Sequence, residues 1–223
     1  MGRPKGDSTV TPPRVELQRR NRSVWREYAE SLVIAVLLAL AIRAFAVQAF
    51  VIPSGSMLPT LRIGDYLLVN KLVYLLRPIR RGDIVVFRFP QDETRDFIKR
   101  VVGLPGETLE IRDRQVFIDG KPLQEPYAVY SEFPPLGSPL PYHLGPIVIP
   151  PGHLFMMGDN RDNSLDSRAW GLLEESKVVG EASIIYFSIR SADIPYEAFV
   201  PRILYAAIHP SLLRWSRIGH LVR

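Results

Sequence analysis

Residues 83–103 read Asp-Ile-Val-Val-Phe-Arg-Phe-Pro-Gln-Asp-Glu-Thr-Arg-Asp-Phe-Ile-Lys-Arg-Val-Val-Gly. Two β-rich runs, Asp83–Phe89 and Asp96–Val102, flank a polar stretch that opens on Pro90. β-Branched and aromatic residues dominate both runs. Arg-Gly-Asp before the first and Gly-Leu-Pro-Gly after the second are turn signals. Alternation in the second run puts Phe97, Lys99 and Val101 on one face, and Ile98, Arg100 and Val102 on the other. Each face is apolar except for one cation, so one cation is expected to approach the interior. The pattern repeats outward in Tyr66–Val73, Thr108–Arg112, Gln115–Ile118, His153–Met157 and Val178–Phe187. Asp119-Gly120 signals a tight hairpin turn. The expectation is a mainly β, antiparallel-sheet domain with an irregular, proline-rich insert at 119–151.

The chain has 223 residues, 47% of them hydrophobic, enough for one domain with an extension and too apolar for low-complexity disorder. Twenty prolines and 15 glycines suit short strands and turns rather than a helical bundle. With no cysteine there is no disulfide, thiolate nucleophile or Cys-ligated zinc. The four histidines show no His-x-x-x-His spacing, so neither a metal, a cofactor nor a catalytic imidazole is expected. Of the net charge of +5, residues 1–28 carry +4. The body is near neutral and shows no basic stripe of the kind nucleic-acid binding needs.

Residues 1–28 read as a basic, flexible tail. The 19 residues Ala29–Val47 are apolar apart from Glu30, Ser31 and Arg43. At 1.5 Å per residue they reach just under the ~30 Å of a bilayer core. Glu30 can sit at the near interface and Arg43 can snorkel to the far one. A buried core helix and a removable signal peptide are the other readings. A signal peptide is usually shorter and ends in a small-x-small cleavage site. Here the stretch runs on into Gln48-Ala49-Phe50-Val51-Ile52 with no clear stop, so 29–49 is read as an uncleaved transmembrane helix. The Lys/Arg before it place the N-terminus in the cytoplasm and residues 50–223 across the membrane. No other stretch can cross, which excludes a polytopic transporter. Residues 200–215 are apolar and aromatic but broken by Pro210. A helix lying on the membrane surface and a peripheral helix packed on the β body are both open.

Three segments carry polar groups suited to chemistry. In Ile52-Pro-Ser-Gly-Ser-Met-Leu-Pro-Thr60, Ser56 lies in a turn bracketed by two prolines, accessible and rigidly held, as a nucleophile needs. Lys99 can give up its proton if desolvated, which arginine cannot. Unperturbed, only about one lysine in a few thousand is neutral at pH 7. Burial can lower its pKa by up to about 3–5 units and so make a general base of it. A solvated edge is the bland reading of the Lys-Arg pair. The third segment, Met157-Gly-Asp-Asn-Arg-Asp-Asn-Ser-Leu-Asp-Ser-Arg-Ala-Trp-Gly171, suits a self-contained hydrogen-bond and ion-pair network whose hydroxyls can orient a lysine. A calcium loop competes poorly: Arg161 stands where a ligand should, and no glutamate closes the loop.

Together and in this order these segments resemble the bacterial type I signal peptidases. The resemblance rests on the anchor, Pro-Ser-Gly-Ser-Met-x-Pro-Thr, Arg-Gly-Asp-Ile-Val-Val-Phe, Phe-Ile-Lys-Arg-Val-x-Gly-Leu-Pro-Gly and Gly-Asp-Asn-Arg-Asp-Asn-Ser-x-Asp-Ser-Arg-x-Trp-Gly. A closing Arg-Trp-Ser-Arg-Ile-Gly at 214–219 adds to it. It covers about 28–190 and the last ten residues. It implies a membrane-bound Ser-Lys endopeptidase that removes signal peptides from exported preproteins after small-x-small sites, in contact with membrane lipid. The implied home is the bacterial plasma membrane, with a thylakoid as the alternative. Ser56 is similar to the nucleophile and Lys99 to the general base. The Ser54 hydroxyl with the Ser56 N–H resembles the oxyanion hole, and Ser164 the serine that orients the lysine. Asp159, Asp166 and Arg168 match supporting positions. The chain departs from relatives in having one anchor rather than two, no cysteines, and an unfamiliar 188–213. A self-cleaving regulator of the repressor type would need a DNA-binding domain and no anchor. A non-catalytic, membrane-tethered β module would have no need of both Ser56 and Lys99.

Overall fold

The computed structural model describes residues 2, 24–131, 143–190 and 209–222, with the backbone alone for 41–45. The basic tail, part of the insert (132–142) and most of 188–213 therefore fall largely outside the described residues. The chain divides into two units, Met1–Leu40 and Ala41–Arg223.

Helix α1 (Val24–Phe45) begins within the stretch read as tail. Every side chain from Val24 to Leu40 is exposed, although most of those from Leu32 onward are apolar. Among the described residues no helix is long and apolar enough to cross a membrane. The helix ends before the sequence reading had it end. Val47–Val51 is strand β1, paired antiparallel with β2 (Asp65–Asn70) from Val47↔Asn70 to Val51↔Tyr66. Its run of Val, Phe and Val suits a strand as well as it suits a membrane helix, and pairing decides between them.

The main sheet adds β3 (Ile84–Phe89), β4 (Asp92–Gly103), β9 (His153–Met157), β10 (Leu173–Glu174), β11 (Val178–Ser188) and β12 (His220–Leu221). Its order is β1-β2-β11-β3-β4-β9-β10, with β12 on β11, and every pair is antiparallel. The mainly antiparallel β expectation holds. Two boundaries move. β4 begins at Asp92 rather than Asp96, because the polar residues 92–95 form the outer, solvated end of the β3–β4 hairpin. The run Tyr66–Val73 stops at Asn70, whose Oδ1 accepts the Leu72 N–H at 2.9 Å and turns the chain into α2 (Val73–Leu76).

A second sheet, ordered β7-β6-β5-β8, is built from β5 (Thr108–Arg112), β6 (Gln115–Ile118), β7 (Lys121–Pro122) and β8 (Leu144–Val148). The insert is thus less irregular than its prolines suggest: Leu144, Ile147 and Val148 pair with β5. Asp119 (φ 49°) and Gly120 (φ 75°) both take positive φ, as a two-residue hairpin turn demands. Asp113 and Arg114 do the same between β5 and β6, without a glycine to signal it.

Three apolar clusters hold the domain. Val102, Leu109, Ile111, Val116, Ile149 and Phe155 tie the second sheet to the end of β4. Val85, Phe87, Val101, Leu154, Met156 and Leu173 form the middle of the main sheet. Ile52, Met57, Leu61, Leu67, Ile84 and Ile185 sit under the turn that bears Ser56. Each such side chain contributes about 1.5–3 kcal/mol on burial.

The C-terminal segment is pinned by charge. Asp65, fully buried, accepts hydrogen bonds from Ser188 Oγ (2.7 Å), Arg217 Nε (3.1 Å) and the Arg62 N–H (2.8 Å). Arg214 and Arg217 also donate to the Ile63, Ile189 and Thr60 carbonyls. The described part of 200–215 is not an α-helix. It contains short 3-10 turns at Pro210–Leu212 and Trp215–Arg217.

Candidate active site

Ser56 is placed from below and from above. Below it, Met57 is completely buried against Ile52 and Leu61, which fixes the turn that follows β1. Above it lies the loop Gly158–Arg168. The Asn160 N–H donates 3.1 Å to the Ser56 carbonyl, and Asn160 Nδ2 donates 3.0 Å to the Gly55 carbonyl. The loop packs so closely that a Cβ on Gly158 would lie 2.2 Å from Ser164 Oγ and 2.5 Å from the Ser56 carbonyl oxygen. Only glycine fits there.

Lys99 is placed by β4, paired to Val85 of β3. Its Nζ donates 2.8 Å to Ser56 Oγ and 2.9 Å to the carbonyl of Ile98, and lies 5.5 Å from the centre of the Phe97 ring. The residue is 4% exposed. Burial pushes the amine down from its ordinary 10.5 to about 8, against the opposing pull of the Asp166 and Asp159 charges. At pH 7 about one molecule in ten then carries a neutral amine, several hundred times the unperturbed share.

The alternation argument expected one buried cation on β4; the strand buries two. Arg100 is 2% exposed. Its guanidinium grips Asp159 with two bonds (2.8 and 2.7 Å), donates to the Gly82 carbonyl and stacks 3.9 Å over Tyr127. A strand packed on both faces can bury a cation on each, provided one is fully paired. Arg100 has that partner in Asp159. Lys99 has a hydroxyl and a carbonyl instead, and can lose its proton.

Asp159 also accepts 2.6 Å from Thr60 Oγ1, so one carboxylate joins the Ser56 turn to β4. Asp166 accepts from the Gly158 N–H and from Arg168 Nε and NH2, and Arg168 donates on to the Arg161 carbonyl. The supporting trio Asp159, Asp166 and Arg168 is thus brought together around the loop. Ser164 is buried beside Gly158, but its Oγ makes no hydrogen bond. The expected Ser164–Lys99 bond is not formed; Ser56 and Ile98 hold the amine instead. Ser54 is exposed and lines the cleft with Ser56, Lys99, Phe97, Asn163 and Leu165. The cleft has a volume of about 540 Å³.

Sequence reasoning missed one buried pair. Arg161, wholly buried, donates to both Glu125 oxygens at 2.9 and 2.6 Å and to Tyr130 OH at 3.2 Å. It fastens the loop to the insert, with the Val129–Asn160 bridge alongside. The one sign of it in the sequence was a second arginine, besides Arg168, in a loop with three aspartates. Chemically, the arrangement offers a buried amine able to accept a hydroxyl proton, at the wall of an open cleft.

Residues 25–187 match the family model described as signal peptidase, peptidase S26. The chain is 40% identical over 190 residues to a probable signal peptidase I-1 of Synechocystis, covering 80% of this chain and 93% of that protein. It is 39% identical over 172 residues to signal peptidase I T of Bacillus subtilis, covering 76% and 89%. A crystal structure of a signal peptidase I from Enterococcus faecalis is 30% identical, with a TM-score of 0.40 over 48% of this chain and 98% of that one. The chain belongs to the signal peptidase family, peptidase S26, and is a serine endopeptidase.

Proposed function

We propose that this protein is a membrane-anchored signal peptidase that cuts exported preproteins by a Ser56–Lys99 dyad. The observation that carries the reading is the 2.8 Å hydrogen bond from a buried, unpaired amine to the Ser56 hydroxyl. Neutral Lys99 takes the Ser56 proton as Oγ attacks the scissile carbonyl. The Ser56 N–H and the Ser54 hydroxyl stabilise the oxyanion, a contribution of roughly 3–4 kcal/mol per donor. The lysine then protonates the leaving amine, and an ester remains on Ser56. Water, deprotonated by the same lysine, releases the ester. This is triad logic with an amine in place of an imidazole. Once Ser56 is acylated, Lys99 needs another polar neighbour, and the buried, unpartnered Ser164 hydroxyl suits that role. Asp159, Asp166 and Arg168 hold the loop that clamps the nucleophile's peptide.

The same reading takes residues 1–28 as a cytoplasmic tail and the apolar part of α1 as a single-pass anchor in a bacterial plasma membrane. Residues 50–223 are the extracytoplasmic catalytic domain, with 119–151 as its cap. Five residues separate Phe50 from Ser56, so the nucleophile stays close in sequence to the end of the anchor. That suits a bond just beyond a signal peptide's apolar segment. Small residues before the cut are expected from the shape of such signals. An extended substrate can add beside β4 as a further strand. The test is incubation of the detergent-solubilised protein with a preprotein. Cleavage at the signal site by the wild type, and none by Ser56→Ala, is the expected result. Equal cleavage by the variant sinks the assignment.

A further inference from the structure

Two charged side chains of the cleft, Arg95 and Asp96, have no part in the mechanism. Asp96 is opposite Arg88 in the β3–β4 register. That register slips between Arg88 and Phe89, so residues 93–95 have no partner on β3. Arg95 is exposed, and its guanidinium carbon sits 5.4 Å from the centre of the Phe97 ring. Lys99 Nζ lies 5.5 Å from the same ring. The ring thus holds a long, charged side chain against the cleft wall. Asp92 is within electrostatic reach of Arg95, but its carboxylate is taken by the Thr94 N–H (3.2 Å) and hydroxyl (2.6 Å). Among the described residues no carboxylate forms an ion pair with Arg95.

We propose that Arg95 is a specificity-determining residue, which favours a carboxylate four to six residues before the cut in the signal peptide. The proposal rests on the signal-peptidase reading of the active site. Among the described residues β9 pairs with β4 only over Arg100–Gly103. Before Lys99 the strand therefore has β3 on one side and the cleft on the other. Such an open edge can take an extended substrate. The sheet gives the substrate's direction. β1 begins where the anchor ends, and the antiparallel order β1-β2-β11-β3-β4 reverses direction four times. β4 therefore runs in the same sense as β1. A signal peptide whose apolar segment lies in the same membrane leads away from it towards the cut, and so lies parallel to β4. Its attacked residue is level with Lys99. Arg95, four residues back on the strand, stands about 13 Å upstream. A substrate residue there meets a cation fixed over an aromatic ring. Opposite charge is attracted and like charge repelled, which discriminates among substrates more than it adds to affinity.

The experiment uses the full-length protein in detergent. Its substrates are preproteins that differ at a single residue, Asp, Asn or Lys, placed at the fourth, fifth or sixth position before the cut. The readout is the ratio of kcat/KM between them, with the cut confirmed by mass. At one or more of these positions wild type is expected to cut the Asp preprotein about two- to fivefold faster than its Asn counterpart. The Lys preprotein should be slower by a similar factor, the range of an exposed ion pair. The preference should shrink in salt of about 1 M. Arg95→Gln is expected to bring the three rates together, and Arg95→Glu to favour Lys. A purely structural role of Arg95 would lower all three rates alike and leave their ratios as they were. Equal rates for Asp and Lys with wild type at all three positions, or a preference unchanged in Arg95→Glu, overturn the proposal. So does a wild-type preference for Lys, which assigns the reading of charge to Asp96. An Arg95-dependent ratio found only with charges placed after the cut overturns it too. Failure of wild type to cut the Asn preproteins overturns the signal-peptidase reading itself, and this proposal with it.

Discussion

Lys99 Nζ lies 2.8 Å from Ser56 Oγ, and its other hydrogen bond goes to the carbonyl of the preceding residue on its own strand. Among the described residues no carboxylate contacts it, whereas Arg100, one residue on, is held bidentately by Asp159. Adjacent buried cations are therefore treated oppositely. One is paired with a carboxylate and the other is bonded only to a hydroxyl and a carbonyl.

If Lys99 is the base, Lys99→Ala, Lys99→Arg and Ser56→Ala each lose about 10³-fold or more in kcat/KM on a preprotein. Lys99→Arg is the discriminating variant, because it keeps a cation of similar reach but cannot shed a proton. Near wild-type turnover by Lys99→Arg contradicts the proton-transfer role.

With the amine drawn down to about 8 by burial, kcat/KM should rise as pH increases through about 8 and level off near 10. The measurement is a pH–rate profile on a preprotein. A profile flat from pH 6 to 9 places the titrating base elsewhere.

The same amine weakens the fold. Between pH about 8 and 10.5 the folded protein binds fewer protons than the unfolded chain, so stability rises with pH across that window. Below it the penalty for a buried charge is present in full. Lys99→Met should therefore be inactive yet more stable at pH 7, by on the order of 2–3 kcal/mol, with the gain shrinking towards pH 10.5. Urea titrations at the two pH values check this. A destabilised Lys99→Met at pH 7 contradicts it.

Gly158→Ala puts a methyl group against the Ser56 carbonyl and Ser164 Oγ. The loop must shift, and with it the peptide that carries the nucleophile. A fall in kcat of about 10²-fold with little change in KM is expected, since a displacement of about 1 Å at the reacting atoms costs that much. Steady-state kinetics on a folded sample, checked by circular dichroism, decide it.

Asp65→Ala strips Arg214 and Arg217 of their shared carboxylate. Removing one partner of a buried ion cluster costs about 3–5 kcal/mol. Limited proteolysis should then cut within 209–222 under conditions where wild type resists. Unchanged resistance would show that the backbone contacts of the segment suffice.

Local chemistry was legible in the sequence where neighbours in the chain decide it. The runs at 83–89 and 96–102, the Asp119-Gly120 turn and the polar loop after Met157 each announce themselves by composition, because turn and strand preferences act over a few residues. β1 and β8 were not legible. Val47–Val51 reads as the end of an apolar helix and Leu144–Val148 as part of a proline-rich stretch. Each becomes a strand because β2 or β5 supplies its hydrogen bonds.

For the active site, the sequence by itself determined which groups were available: Ser56 in a proline-bracketed turn, Lys99 on a strand, and an acidic loop bearing Ser164. Only the tertiary structure decided that Lys99 meets Ser56 while Asp159 takes Arg100, that Ser164 stays unpartnered, and that Arg161 is buried against Glu125. The reason is electrostatic. The protonation of a buried group depends on the solvent it loses and the charges that fold against it, and those charges come from residues many positions away in the chain.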